Sequence, residues 1–126
     1  MPGDGQQHRP RAFVIEDDVQ TQRLLAELIA SKGMEPIPFT RISSARRALA
    51  ERPPSVMVVD DDMPDGRGAE LVQELREDPR MRNVRVLFCT AADRAQQREM
   101  SRLAPVIGKP FRLHEMERAL SEVAPR

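Results

Sequence analysis

Apolar residues fall in five short runs along the chain, and stretches of helical spacing lie between them. Ala12-Phe13-Val14-Ile15, Val56-Met57-Val58-Val59 and Val84-Arg85-Val86-Leu87-Phe88-Cys89 are each bounded by polar or turn residues. Runs of this length and punctuation read as buried strands. Met34 to Phe39 alternates weakly and carries Pro36 and Pro38. Proline cannot donate to a ladder, so this second strand belongs at a sheet edge. Val106-Ile107 gives a short fifth strand that ends at Gly108-Lys109-Pro110.

Between the strands, Leu24, Leu25, Leu28 and Ile29 mark a first helix that Gly33 stops. Ala45, Ala48 and Leu49 mark a second, with Ser43 or Ser44 as its cap and Pro53-Pro54 as its end. Leu71, Val72 and Leu75 mark a third, broken by Asp78-Pro79. A polar helix from about Asp93 to Arg102 and a last one from about Leu113, with Met116, Leu120 and Val123 inward, complete the set. Strands alternating with helices specify an α/β fold: a doubly wound parallel sheet of five strands with right-handed crossovers and five helices. Residues 11–124 then form one domain. Residues 1–10, with two Gly and two Pro and no periodicity, read as a disordered tail ending in the His8-Arg9-Pro10-Arg11 cluster.

Composition narrows the functional classes. The chain has 126 residues, 40% hydrophobic and 32% charged, enough for one core and a solvated surface. Its 20 basic and 20 acidic residues cancel, so no global field draws it to nucleic acid or an anionic membrane. Four Phe and no Trp or Tyr supply little stacking surface for bases. A single cysteine, Cys89, excludes an internal disulfide and a cysteine zinc cluster. No apolar run approaches the roughly 18 residues of a membrane span. The first eleven residues lack the apolar core of a signal peptide, and the cytoplasm is the simplest location.

The chemistry gathers at strand ends. The first strand ends in Glu16 and Asp17, the third in Asp60, the fourth in Thr90 and the fifth in Lys109. In a doubly wound sheet these groups share the carboxyl rim, where ligands bind. Carboxylates brought together repel unless a cation intervenes. A hard divalent ion such as Mg2+, held by Asp17 and Asp60, answers that need. Lys109 adds a positive charge and Thr90 a hydroxyl, so the rim suits a phosphoryl group, and Asp60 is a possible nucleophile. His114 falls on a polar position of the last helix and reads as a solvated side chain.

Glu16-Asp17, Asp60 followed by Met63-Pro64 and a Gly-containing turn, Thr90-Ala91 and Lys109-Pro110-Phe111 together resemble the receiver domain of bacterial two-component response regulators. The resemblance implies a flavodoxin-like sheet with strand order 2-1-3-4-5. It implies Asp60 as phosphoacceptor, with Mg2+ held by Asp17, Asp60 and the backbone carbonyl of Asp62. Glu16 then acts on the metal through water, Thr90 is the switch hydroxyl and Lys109 contacts the phosphoryl group. Asp18 and Asp61 get no role and read as solvated flanks. The resemblance further implies a stand-alone regulator fed by a histidine kinase or histidine phosphotransfer protein. It would signal through the face made by the fourth helix, fifth strand and fifth helix, catalysing only its own phosphorylation and dephosphorylation.

Three positions depart from the family pattern. Val106 stands where members usually carry an aromatic residue, three before the lysine. The segment from Thr90 to Lys109 is about three residues short, and no acidic residue on the fifth strand completes the salt bridges of dimerising transcription-factor receivers. Asp62 and Ala92 flank the phosphoryl position and are expected to set its lifetime. Rival readings are a phosphorylation-independent docking module, an aspartyl phosphatase of the haloacid dehalogenase type using Asp60-Asp61-Asp62, and a Toprim-type nuclease or primase using Glu16 with Asp60 and Asp62.

Overall fold

The computed structural model describes residues 9–125; the proposed tail up to His8 lies outside the described residues. Strands β1 (Arg11–Ile15), β2 (Glu35–Phe39), β3 (Val56–Val59), β4 (Arg85–Thr90) and β5 (Val106–Gly108) form one parallel sheet in the order β2-β1-β3-β4-β5. This is the doubly wound sheet that the sequence pattern predicts, in the flavodoxin-like order that the family resemblance implies. Helices α1 (Val19–Ser31), α2 (Ile42–Glu51), α3 (Gly68–Glu77), α4 (Arg94–Met100) and α5 (Leu113–Val123) connect them. A small antiparallel ribbon, Asp62–Met63 against Gly66–Arg67, stands beyond the end of β3.

Alternation along each strand divides the core in two. Phe13, Ile15, Met57, Val59, Val86 and Phe88 face one way and are covered by α2, α3 and Met100 of α4. Ala12, Val14, Val56, Val58, Leu87 and Cys89 face the other way, under Leu25 and Ile29 of α1 and Met116, Leu120 and Val123 of α5. Every one of these strand residues is buried, as expected for a parallel sheet covered on both sides. At the edge, Glu35 N–H donates to the Pro10 carbonyl at 2.8 Å, which turns Pro36 and Pro38 outward. Arg9 also reaches the sheet, donating from Nη2 to the Met34 carbonyl at 2.9 Å.

Several boundaries differ from the sequence reading. Leu24 is 38% exposed, so the buried stripe of α1 rests on Leu25 and Ile29. Gly33 follows the helix with a φ of +82°, the left-handed stop predicted for it. Val84 precedes β4, because its N–H closes a turn onto the Met81 carbonyl. The α4 helix is shorter than predicted: Asp93 caps it by accepting from Gln96 N–H at 2.9 Å, and residues 101–103 are turns.

Neither Ser43 nor Ser44 caps α2, which begins at Ile42 with no cap from its own N-cap residue, Arg41. The cap comes from Asp65 at the ribbon tip, whose carboxylate accepts from Ile42 N–H at 2.8 Å and Ser43 N–H at 2.9 Å. These are two of the N–H groups that a helix start leaves without partners, and a carboxylate also suits the positive end of the helix. The bonds hold the Asp65 carboxyl below its ordinary value. On its other side the ribbon leads into α3 through Gly68. A methyl added there would run into the Asp60 carbonyl oxygen and lie 2.9 Å from Val59 Cγ2.

Two outcomes follow from these anchors. Asp65→Ala lowers the thermal midpoint by roughly 3–6 °C at neutral pH. Because the folded-state value is depressed, that contribution is complete above about pH 5. It fades as the pH falls below 3.8, the ordinary aspartate value, so melting curves of the two proteins converge in acid. Gly68→Ala costs about 1–3 kcal/mol in denaturant unfolding, since backbone cannot be moved aside as a side chain can.

Candidate functional site

The register of the sheet brings the polar strand ends together. Ile15 pairs with Val59, and Asp60 N–H donates to the Ile15 carbonyl at 2.9 Å, so Glu16 and Asp60 leave adjacent strands at the same level. Lys109 N–H donates to the Thr90 carbonyl at 2.7 Å, placing the end of β5 beside that of β4. Of the residues singled out from the sequence, Glu16, Asp17, Asp60, Thr90 and Lys109 all stand on this rim. Glu16, Asp60 and Thr90 are buried there, and Asp17 is exposed.

Lys109 is the central cation. Its Nζ donates to Glu16 Oε1 at 2.5 Å and to Asp60 Oδ2 at 3.1 Å. Burial works to lower the Lys109 pKa, but the bonds to Glu16 and Asp60 outweigh it, and the net shift is upward. Burial raises the Glu16 carboxyl, with the Lys109 bond pulling the other way. Glu16 Oε2 accepts from Asp18 N–H at 3.2 Å.

Oxygens of Glu16, Asp17 and Asp60 lie within 4.8 Å of one another. Three carboxylates against one ammonium leave two net negative charges, matching a hard divalent cation with oxygen ligands. The Asp60 side also opens into a cleft of about 330 Å3, shared with Asp62, Arg67, Thr90, Ala92 and Gln96. An anion entering it would meet the Asp60 carboxylate, flanked by the Lys109 ammonium. Thr90 is fully buried, and its Oγ1 accepts from Ala92 N–H at 3.1 Å. Neighbouring Cys89 is no second nucleophile, because burial pushes its thiol up to about 12.

Asp61 is not a solvated flank, and Asp18, exposed as expected, has a structural role. Asp18 caps α1, accepting from Thr21 N–H at 3.0 Å and Thr21 Oγ1 at 2.6 Å, bonds that hold its carboxyl below the usual range. The Asp61 side chain is only 6% exposed. Its Oδ1 accepts from Ala69 N–H at 2.9 Å in the first turn of α3, and its Oδ2 takes Nε and Nη2 of Arg67. The sequence carried a signal for this: Pro64-Asp65-Gly66 forces a tight reversal, which returns Arg67 to the carboxylates it has just left. Asp62 is exposed on the ribbon, its N–H donating to Asp60 Oδ1 at 3.2 Å.

Val106 is half-buried, in a notch of about 360 Å3 bordered by Arg94, Gln97, Arg98 and Ser101. Gln97 closes its inner wall, donating to the Ala92 carbonyl at 2.7 Å and lying over Gly108. His114 is exposed on α5, as predicted. No helix among the described residues is long and apolar enough to cross a membrane.

Comparison with known proteins agrees with this architecture. Residues 12–121 match the family model of the response regulator receiver domain. The photosynthetic apparatus regulatory protein RegA of Rhodovulum sulfidophilum is 31% identical over 68 residues, which are 54% of this chain and 37% of that protein. The chain thus spans little more than a third of RegA. The response regulator receiver protein CpdR of Brucella abortus is 29% identical over 107 residues, covering 84% of this chain and 89% of CpdR. Among solved structures, the receiver domain of the sensor histidine kinase PA1611 from Pseudomonas aeruginosa, with magnesium in its active-site cleft, superposes with a TM-score of 0.78 at 20% identity. That superposition covers 90% of this chain and 96% of that one. With the sheet order, the acidic rim and a family match over most of its length, this chain belongs to the response regulator receiver domain family of two-component signalling.

Proposed function

We propose that Asp60 is the phosphoacceptor of this receiver domain and that phosphohistidine, on a histidine kinase or histidine phosphotransfer protein, is its donor. The observation that carries the reading is the Asp60 carboxylate itself: buried at a strand end, 3.1 Å from Lys109 Nζ and within reach of the Glu16 and Asp17 oxygens. An Asp60 oxygen attacks phosphorus, the O–P bond forms as the P–N bond breaks, and the electron pair returns to the imidazole nitrogen. Asp17, Asp60 and the Asp62 carbonyl would hold Mg2+, with Glu16 acting through water. Bound there, Mg2+ would neutralise the phosphoryl oxygens as the group passes from the imidazole nitrogen to Asp60.

The chain's own groups do the rest. Lys109 keeps its charge at neutral pH and contacts the transferred group. The Thr90 hydroxyl gives up the Ala92 N–H and donates to a phosphoryl oxygen. That exchange pulls on the segment leading into α4 and shifts the population of the face made by α4, β5 and α5. Val106 cannot present a ring on that face, so its output is a change in the Val106 notch and its arginine rim. The downstream target is a protein, and turnover is limited to the domain's own acyl phosphate. CpdR, matched over 89% of its length, supports a stand-alone unit of this size, and such a unit would work in the cytoplasm. A phosphorylation-independent docking role is the second reading, favoured by Val106 and the short α4.

Incubation with acetyl phosphate or phosphoramidate and Mg2+ adds one phosphoryl mass to the intact protein. The adduct is lost in Asp60→Asn and on chelation of the metal. A folded protein that takes up no phosphoryl group overturns the acceptor reading in favour of docking. Asp62 places a carboxylate where hydrolytic water must approach, so Asp62→Asn lengthens the acyl-phosphate lifetime about three- to tenfold. An unchanged lifetime in that variant removes Asp62 from the hydrolytic step.

A further inference from the structure

The rim is rich in negative charge. Glu16, Asp17, Asp60, Asp61 and Asp62 surround a position that, on the acceptor reading of Asp60, receives a phosphoryl group as well. Lys109 is already engaged with Glu16 and Asp60. The cleft that holds Asp60 and Thr90 has a further cation in its wall, Arg67.

The placement of Arg67 suits it to an anion. It stands directly across the ribbon from Asp62, at the start of α3. Its Nε and Nη2 both donate to one oxygen, Asp61 Oδ2, at 3.1 and 2.8 Å. A guanidinium carries five N–H donors in a planar fork, so most of its capacity remains for a second acceptor. Asp61 does not depend on it alone, since Oδ1 is held by Ala69 N–H. The arginine side chain is 49% exposed and also borders the open groove between α3 and α4, so it can turn without disturbing the core. Such a fork matches phosphoryl oxygens bidentately, as an ammonium cannot.

We propose that Arg67 is a second cation of the phosphoryl site, its guanidinium shared between Asp61 and the phosphoryl group on Asp60. Asp61 stores the guanidinium at the cleft wall before transfer. The phosphoryl group then draws one edge of the fork to itself.

The test uses beryllofluoride with Mg2+ as a stand-in for the phosphoryl group, with binding followed by fluorine NMR and calorimetry. Arg67→Met weakens beryllofluoride binding about five- to twentyfold, and Arg67→Lys recovers only part of the loss. Asp61→Asn, which keeps an acceptor for Ala69 N–H and releases the guanidinium, binds at least as tightly as the unmodified protein. Mg2+ affinity measured alone stays within twofold in all three. Unchanged beryllofluoride binding in Arg67→Met overturns the inference. So does an equal loss in Asp61→Asn, which would make the pair a structural brace. If the unmodified protein fails to bind beryllofluoride, the acceptor reading of Asp60 fails first and takes this inference with it.

Discussion

The Lys109 ammonium, bonded to Glu16 and Asp60, is the contact on which the rim depends. It joins the exits of β1, β3 and β5, three strands far apart in the chain. Two unit charges about 4 Å apart interact by roughly 4 kcal/mol at the effective dielectric of a protein surface. Carboxylates packed at this density would push the strand exits apart without an intervening cation. The ammonium draws two of them together and leaves the third, Asp17, free to face solvent. Attraction and residual repulsion are thus balanced at the rim.

Two further carboxylates act as mechanical supports. Asp61 ties the exit of β3 to the first turn of α3, and Asp65 ties the ribbon tip to the first turn of α2. Gly68 lets α3 approach the Asp60 carbonyl more closely than any side chain would permit. The loop after β3 is therefore braced on both sides by helix starts. The opposite side of the cleft, where Thr90 and Ala92 lead into α4, has the Thr90–Ala92 contact to hold it.

The strands and the rim residues were legible because they rest on local patterns, and the strand order followed from the family resemblance. All strands but β2 are built on apolar runs, and Glu16, Asp60, Thr90 and Lys109 are each the first polar side chain after one, with Asp17 next to Glu16. Asp65 was not legible as a cap, because its partners lie 22 and 23 residues earlier and become neighbours only when the ribbon folds back over α2. Ser43 and Ser44 offered a nearer solution that the geometry does not use. Asp61 was misjudged for a related reason. In a run of three aspartates the side-chain directions separate only once the ribbon is formed, and only then does Arg67 arrive beside the middle one. The shortness of the segment from Thr90 to Lys109 was visible, but the early end of α4 at Met100 was not, and the notch around Val106 is a property of packing.

The outward turn of Pro36 and Pro38 bears on how this domain can associate with others. Inner N–H groups of β2 bond to β1, but at both prolines the outer side offers carbonyls and no donor. A foreign strand laid along this border would find half of its ladder absent. The opposite border, β5, is three residues long and gives little purchase. Recognition by strand addition is thereby closed at one margin and cramped at the other. Contacts with other chains are left to helices and loops, the parts of the molecule that surround the rim.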